Sequence, residues 1–370
     1  MFDQRRVHRI QDCLQQEGLA ALYVRDTANI QWACGFEDVF DEEQAHGLLI
    51  PTRGEKLWLH TDSRYSTACE QAAEGTPIQV DAEAMGFSKW AATRWEEAAP
   101  EGGEGLLALE DSISLAEYRA LEEAFAGNGS FAETKGFVLE LRAQKDAEEI
   151  RCMEAAQAVT DAAFAHIVSF METGMTEREV QLELDLWMLS HGAEALAFPT
   201  IVASGPNGAS PHAVVSSRCL EPGDAVVMDF GARVSGYCSD MTRTVFMGEP
   251  TEQMQAAWET LRAANETVEA ALRPGMTGKA AHELALAVLE EGGFGGRMGH
   301  GLGHGVGLQI HEEPVLSPRN ENPLEVGNVV TVEPGIYLPG QFGMRLEDLG
   351  VIGPEGFQRF TASTHALIVL

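Results

Sequence analysis

Hydrophobic positions in the first part of the chain switch between two periods. Val7, Ile10, Cys13 and Leu14 recur at helical spacing with Gly18 after them, which predicts a helix that the glycine stops. The runs at 19–24, 48–50, 57–60 and 106–109 are short and continuously apolar, as buried strands are. Helical spacing returns at 63–74, with Ser63 as a candidate N-cap, and at 115–125. Strands alternating with helices predict an amino-terminal α/β domain over residues 1–135. The acidic stretch FEDVFDEEQ (36–44) interrupts it, either as a solvated loop or, since it holds two phenylalanines, as a lid that reaches a site in another domain or subunit. EGGEG (101–105) reads as a turn inside the domain. A boundary is expected near 136–143, before a long helix opening at Asp146, and a second domain over 136–370.

Beyond that boundary the pattern repeats. TGMTEREVQLEL from Thr173 and PGMTGKAAHELA from Pro274 share Gly-Met-Thr at a spacing of 101 residues. Thr176 and Thr277 can each cap the helix that follows, and Thr176 with Glu179 makes a capping box. After each helix comes a histidine, His212 or His311, and then an apolar strand ending in an acid, Asp229 or Glu333. The matched order predicts two related α/β halves.

The stretch GHGLGHGVGLQIHEEP (299–314) has glycine at every second position from Gly299 to Gly307. In extended form His300, Leu302, His304 and Val306 share one face, and the other face is bare backbone open to close approach. His300 and His304 would stand roughly 13 Å apart on a straight strand, so one can hold a metal while the other faces a substrate.

Composition narrows the partners. Against 25 basic residues stand 57 acidic ones, a net charge of −32, which disfavours nucleic acid and anionic membranes. Six scattered cysteines without a C-x-x-C pair suit reduced thiols in a cytoplasmic protein. The start lacks the apolar core of a signal peptide, and no run of 18 apolar residues exists to span a membrane.

The chemistry lies in the acids. Asp229 and Asp240 flank a turn at 234–236, so a hairpin would bring them nearly opposite each other. Glu333 and Glu347 are centred on Gly340 and repeat the arrangement. Like charges facing across a ladder need a proton or a cation between them. One pair alone fits a shared-proton dyad; two pairs with His304 fit a two-metal cage. Four carboxylates and an imidazole suit Mn(II), with Co(II) or Zn(II) as alternatives. Paired ions lower the pKa of a shared water from 15.7 toward ~7, which supplies a hydroxide without a serine or cysteine nucleophile.

Five segments carry a resemblance: GPNGASPHA (205–213), DFGARVSGYCSDMTRTVF (229–246), GHGLGHGVGLQIHEEP (299–314), TVEPGIY (331–337) and GMRLEDLGVI (343–352), with LRAQKDAEEI (141–150) as a lead-in. Together they resemble the pita-bread metallopeptidases, most closely the proline-specific branch of Xaa-Pro dipeptidases (prolidases) and Xaa-Pro aminopeptidases. The resemblance implies an α/β (α+β) chain, with a creatinase-like amino-terminal domain followed by a pita-bread catalytic domain of pseudo-twofold symmetry. It implies two divalent ions held by Asp229, Asp240, His304, Glu333 and Glu347. Asp240 and Glu347 would bridge the ions, Asp229 would hold one, and His304 with Glu333 the other. Glu333 would also take the proton of the bridging water. His212, His300 and His311 would face the peptide, and Arg345 would orient a ligand. A homodimer acting on Xaa-Pro peptides is likewise implied. The compact chain and the acidic stretch favour a dipeptidase over an aminopeptidase; an inactive protein-binding scaffold is the alternative of another class. A methionine aminopeptidase does not need an amino-terminal domain of this size, and a creatinase-type enzyme lacks the full ligand set. His8, His46, His60, His166, His191, His282 and His365 stand outside any motif and are expected at the surface or in the core.

Overall fold

A computed structural model describes residues 2–36, 39–41, 43–99, 105–126 and 130–370. Residues 37, 38 and 42 of the acidic stretch and 101–104 of EGGEG fall outside these, and so do the lid and the turn expected there. The described Phe36 is buried, and its ring stacks on Phe40 at 6.1 Å. Two compact units form, 1–142 and 143–370.

The first unit is built on a six-stranded mixed sheet. Its order is Ile78–Asp81, Leu57–Thr61, His46–Pro51, Ala21–Val24, Leu106–Leu109 and Ser130–Glu133. The opening helix, Gln4–Gln16, buries Val7, Ile10 and Leu14, and Gly18 turns the chain away at φ +70°. Ser63 does not cap a helix. That helix is Ser66–Ala73, and its cap residue, Tyr65, makes no side-chain capping bond. The turn before it is shaped by Asp62, whose carboxylate takes the Arg64 N–H at 2.8 Å. Helices Thr27–Cys34 and Phe87–Ala98 had no distinct sequence signal. In the first, most residues are buried, so no polar stripe marks an outer face.

The second unit carries the repeat. Its long helix, Ala147–Phe170, opens on an Asp146–Glu149 capping box, and Thr176 with Glu179 forms another. Thr277 caps Gly278–Glu291 through the Ala280 N–H at 3.0 Å. The two threonines also make equivalent isolated bridges, Thr176 to Cys219 and Thr277 to Pro323. Each half then contributes three antiparallel strands in matching order. These are Ile201–Ser204, Ala225–Phe230 and Met241–Phe246 in one half, and Gly303–Gly305, Val329–Val332 and Asp348–Gly353 in the other.

Two expectations change in detail. Asp229 pairs with Thr242, so Asp240 is its diagonal neighbour, two places off rather than opposite. The intervening ribbon turns tightly at Ser235 and Gly236, both at positive φ, as a two-residue hairpin requires. The single extended face expected for His300, Leu302, His304 and Val306 also gives way. Only Gly303–Gly305 is ladder-bonded, and the register shifts there. As a result Leu302 and Val306 enter different core clusters. The bare face works as expected: a Cβ on Gly303 would strike the Thr331 carbonyl, and one on Gly305 the Glu313 carbonyl. No described helix is long and apolar enough to cross a membrane.

Candidate metal centre

Both hairpins deliver acids to one place. Gly231 lacks the side chain that would collide with the Ser239 carbonyl, so Asp240 closes down beside the Asp229 strand. In the other half Val332 pairs with Asp348 and Gly335 with Arg345, a register that sets Glu333 opposite Glu347. Pro334 interrupts that ladder, leaving Glu333 N–H to the Leu302 carbonyl at 2.8 Å and Glu347 N–H to the Thr242 carbonyl at 3.1 Å.

Ligand atoms of Asp240, His304 and Glu347 all lie within 4.8 Å of one another. His304 Nε2 is 3.5 Å from Asp240 Oδ2 and 3.5 Å from Glu333 Oε1. Asp229 is tied in through Arg345, whose guanidinium contacts its Oδ2 and stands 4.0 Å from Glu333 Oε2. Three of the five expected ligand residues, Asp240, His304 and Glu347, thus offer atoms to one point, Glu333 adjoins His304, and Asp229 reaches the group through Arg345.

The crowding is electrostatically severe. Burial, and then the charges of Glu347, Asp229 and Glu333, push Asp240 well above the usual carboxylate range. Burial and then Glu347 do the same to Glu333. Burial and then Asp229 push Glu347 up to about 8. Burial pushes His304 down to about 4, so its ring is neutral. Its Nδ1 is 3.0 Å from the Gly305 carbonyl, which takes the N–H of that tautomer. A bare Nε2 lone pair is then aimed at two carboxylate oxygens, an arrangement that a cation between them turns from repulsive to attractive. Asp229 Oδ1 is buried without a hydrogen-bond partner. The donor set fits divalent ions.

Arg345 is nearly fully buried and binds on several sides. Its Nε donates to Thr242 Oγ1 at 2.9 Å, and NH1 to the Tyr337 hydroxyl at 3.0 Å and the Pro211 carbonyl at 3.1 Å. The Thr242 hydroxyl in turn donates to Glu347 Oε2 at 2.6 Å. The three other histidines differ. His212 and His311 are exposed, and the His311 ring centroid lies 4.4 Å from that of His304. His300 has both ring nitrogens engaged, Nδ1 2.7 Å from the Gly301 carbonyl and Nε2 3.0 Å from the Tyr337 hydroxyl. Substrate contact by His300 requires release of one of them. Thr242 and Tyr337 are not among the residues expected from sequence; the signal for Thr242 is its place two residues after Asp240, on the same strand face.

The profile of metallopeptidase family M24 matches residues 151–354, and that of the creatinase/prolidase N-terminal domain matches residues 6–144. The chain belongs to metallopeptidase family M24. An M24 metallo-exopeptidase of the proline-specific branch, it has the creatinase-like domain followed by the pita-bread catalytic domain. An Xaa-Pro dipeptidase of Lactobacillus delbrueckii subsp. lactis is 30% identical over 366 residues, 98% of each chain. Among solved structures, the Xaa-Pro dipeptidase from Bacillus anthracis is 34% identical with a TM-score of 0.91, covering 99% of both chains. The X-Pro aminopeptidase from Thermotoga maritima is also 34% identical, with a TM-score of 0.85, covering 98% of this chain and 100% of that one. M24 membership implies divalent metal ions and peptide substrates for this chain.

Proposed function

We propose that this M24 enzyme hydrolyses the Xaa-Pro bond of dipeptides with two divalent ions, Mn(II) first among them. One observation carries the proposal: Asp240, His304 and Glu347 offer ligand atoms within 4.8 Å of one another, with Glu333 beside His304 and Asp229 joined to the group by Arg345. Asp229, Asp240, His304, Glu333 and Glu347 would hold the ions, which when bound would acidify the water that serves as nucleophile.

The remaining work falls to this chain's own side chains. Glu333 accepts the proton of the attacking water. His212 and His311 hold the peptide carbonyl as negative charge grows on its oxygen and return a proton to the departing proline nitrogen. A tertiary amide has no N–H to donate, so recognition of proline rests on the carbonyl and on ring shape. Arg345 keeps Asp229 aligned, and Thr242 does so for Glu347.

The test is a manganese-loaded assay on Ala-Pro and on Ala-Pro-Gly, with metal counted per chain. Cleavage of the dipeptide with two ions bound is expected. Preference for the tripeptide would favour the aminopeptidase activity named for the Thermotoga relative. Fewer than one ion per chain and no cleavage of either peptide would favour a scaffold.

A further inference from the structure

The two halves of the second unit hold their histidine loops by different means. In the second half His311 sits at the head of a ribbon, Gly303–Gly305 paired with Glu312–Leu316, and the Leu302 N–H donates to the Leu316 carbonyl at 2.7 Å. In the first half His212 lies on a segment whose regular part is one 3-10 turn, Gly205–Ala209, and no described strand follows it before Ala225–Phe230. Backbone bonds reach the outer ends of this loop, where Ser204 pairs with Val226 and the Glu177 N–H donates to the Arg218 carbonyl at 3.0 Å, but no ribbon runs along it as in the second half.

Between those ends the ties are side chains: Arg345 Nη1 donates to the Pro211 carbonyl at 3.1 Å, Arg218 Nη1 donates to Ser204 Oγ at 2.7 Å, and one carboxylate joins both feet. Glu177 is fully buried at the start of helix Glu177–Ser190. Its Oε1 accepts from Ser204 N at 2.7 Å, Ser204 Oγ at 2.7 Å and Asn207 Nδ2 at 3.0 Å. Its Oε2 accepts from Ser216 N at 3.0 Å and Ser216 Oγ at 2.6 Å. Ser204 ends the strand before the loop, and Ser216 follows His212 by four residues. Both feet of the loop are thereby fastened to one side chain. Burial opposes the charge on Glu177, but hydrogen bonds from Ser216, Ser204 and Asn207 outweigh it and hold the group ionised. The helix N-terminus adds to this. In the other half the matched position, one past the capping threonine, is Gly278. A Cβ there would strike the Val315 carbonyl, so the ribbon packs directly on the helix start.

We infer that Glu177 is the positioning residue for His212, a side-chain clamp standing where the other half uses a strand ladder. The inference rests on the proposed Xaa-Pro hydrolysis only for its kinetic readout. His212 is tied to the site through its neighbour Pro211, whose carbonyl accepts from Arg345 Nη1 at 3.1 Å. Misplacement of a catalytic group by about 1 Å can cost on the order of 100-fold.

The test is a double-mutant cycle. Glu177→Gln should lower kcat/KM by ~10- to 100-fold while the metal content stays at the wild-type value, and in a His212→Ala background it should cost less than ~2-fold. Equal losses in both backgrounds, or no loss, overturn the inference. If Glu177→Gln fails to fold, Ser216→Ala and Asn207→Ala each remove one donor, and smaller losses with the same dependence on His212 are expected. Hydrogen exchange of residues 205–215, read by mass spectrometry, should quicken in the variants while the rest of the chain is unchanged. Unchanged exchange also overturns the inference. A wild-type chain inactive on every Xaa-Pro peptide would sink the proposed function and leave the exchange measurement to decide the clamp.

Discussion

At the scale of single residues the site is governed by protonation. Without metal, Glu347 holds its proton up to about 8 against an ordinary value of 4.5, and Asp240 and Glu333 are also raised well above the usual range, by burial first and then by the charge of Glu347. A carboxyl whose folded pKa is raised supports folding fully below its unfolded value and loses that support as pH climbs through the folded one. The thermal midpoint of EDTA-treated protein should therefore fall between about pH 4.5 and 8 on this account. Added Mn(II) should restore it most at the upper end. Calorimetry with and without metal checks this, and a metal-free midpoint that rises across that range would contradict it. His300 stands apart from the ligands, with its nitrogens spent on Gly301 and Tyr337. His300→Ala should keep its full metal content and lose turnover, as measured by metal analysis beside kcat; loss of metal would show that His300 supports the cage itself.

At the scale of elements, glycine decides where the ligands can meet. The strand Gly303–Gly305 lies so close to Val329–Val332 that a Cβ on Gly303 would enter the Thr331 carbonyl. His304 is the next residue, and its N–H is fixed to Thr331 Oγ1 at 3.1 Å. Gly303→Ala should weaken manganese binding at least several-fold although it removes no ligand, and should cost on the order of 1–3 kcal/mol of stability through overpacking. Titration with Mn(II) and denaturant unfolding test the two effects separately. An unchanged affinity would mean the strand can shift without moving His304.

The elements also show how far local pattern reaches. Both hairpins were legible, because a turn residue between two apolar strands fixes the pairing partner. The centring of Glu333 and Glu347 on Gly340 translated directly into register. The Asp229–Asp240 ribbon pairs two places away from a face-to-face register, since its tight turn centres on Ser235 and Gly236. A serine before a helical run satisfies the capping pattern, but at Ser63 the neighbouring Asp62 claims the turn.

At the scale of the whole molecule the net charge of −32 sets the field a substrate meets. Dipeptides carrying a positive side chain should be drawn in and acidic ones repelled. Lys-Pro should show a KM several-fold below that of Glu-Pro at low salt. The gap should close as salt shortens the screening length from ~10 Å at 0.1 M to ~3 Å at 1 M. Steady-state kinetics across that range tests it; a salt-independent ratio would place the discrimination in local contacts instead.

The chain's sequence alone determined the types of the proposed metal-site residues, the two halves and the hairpins, because turn chemistry and period act over a few residues. It also carried the family resemblance. Only the tertiary structure decided what holds those residues in place. Arg345 joins Asp229, Thr242, Tyr337 and Pro211, and Glu177 joins Ser204, Asn207 and Ser216. Such contacts link positions far apart in the chain, where side-chain geometry depends on how whole strands and helices pack and leaves no periodic trace.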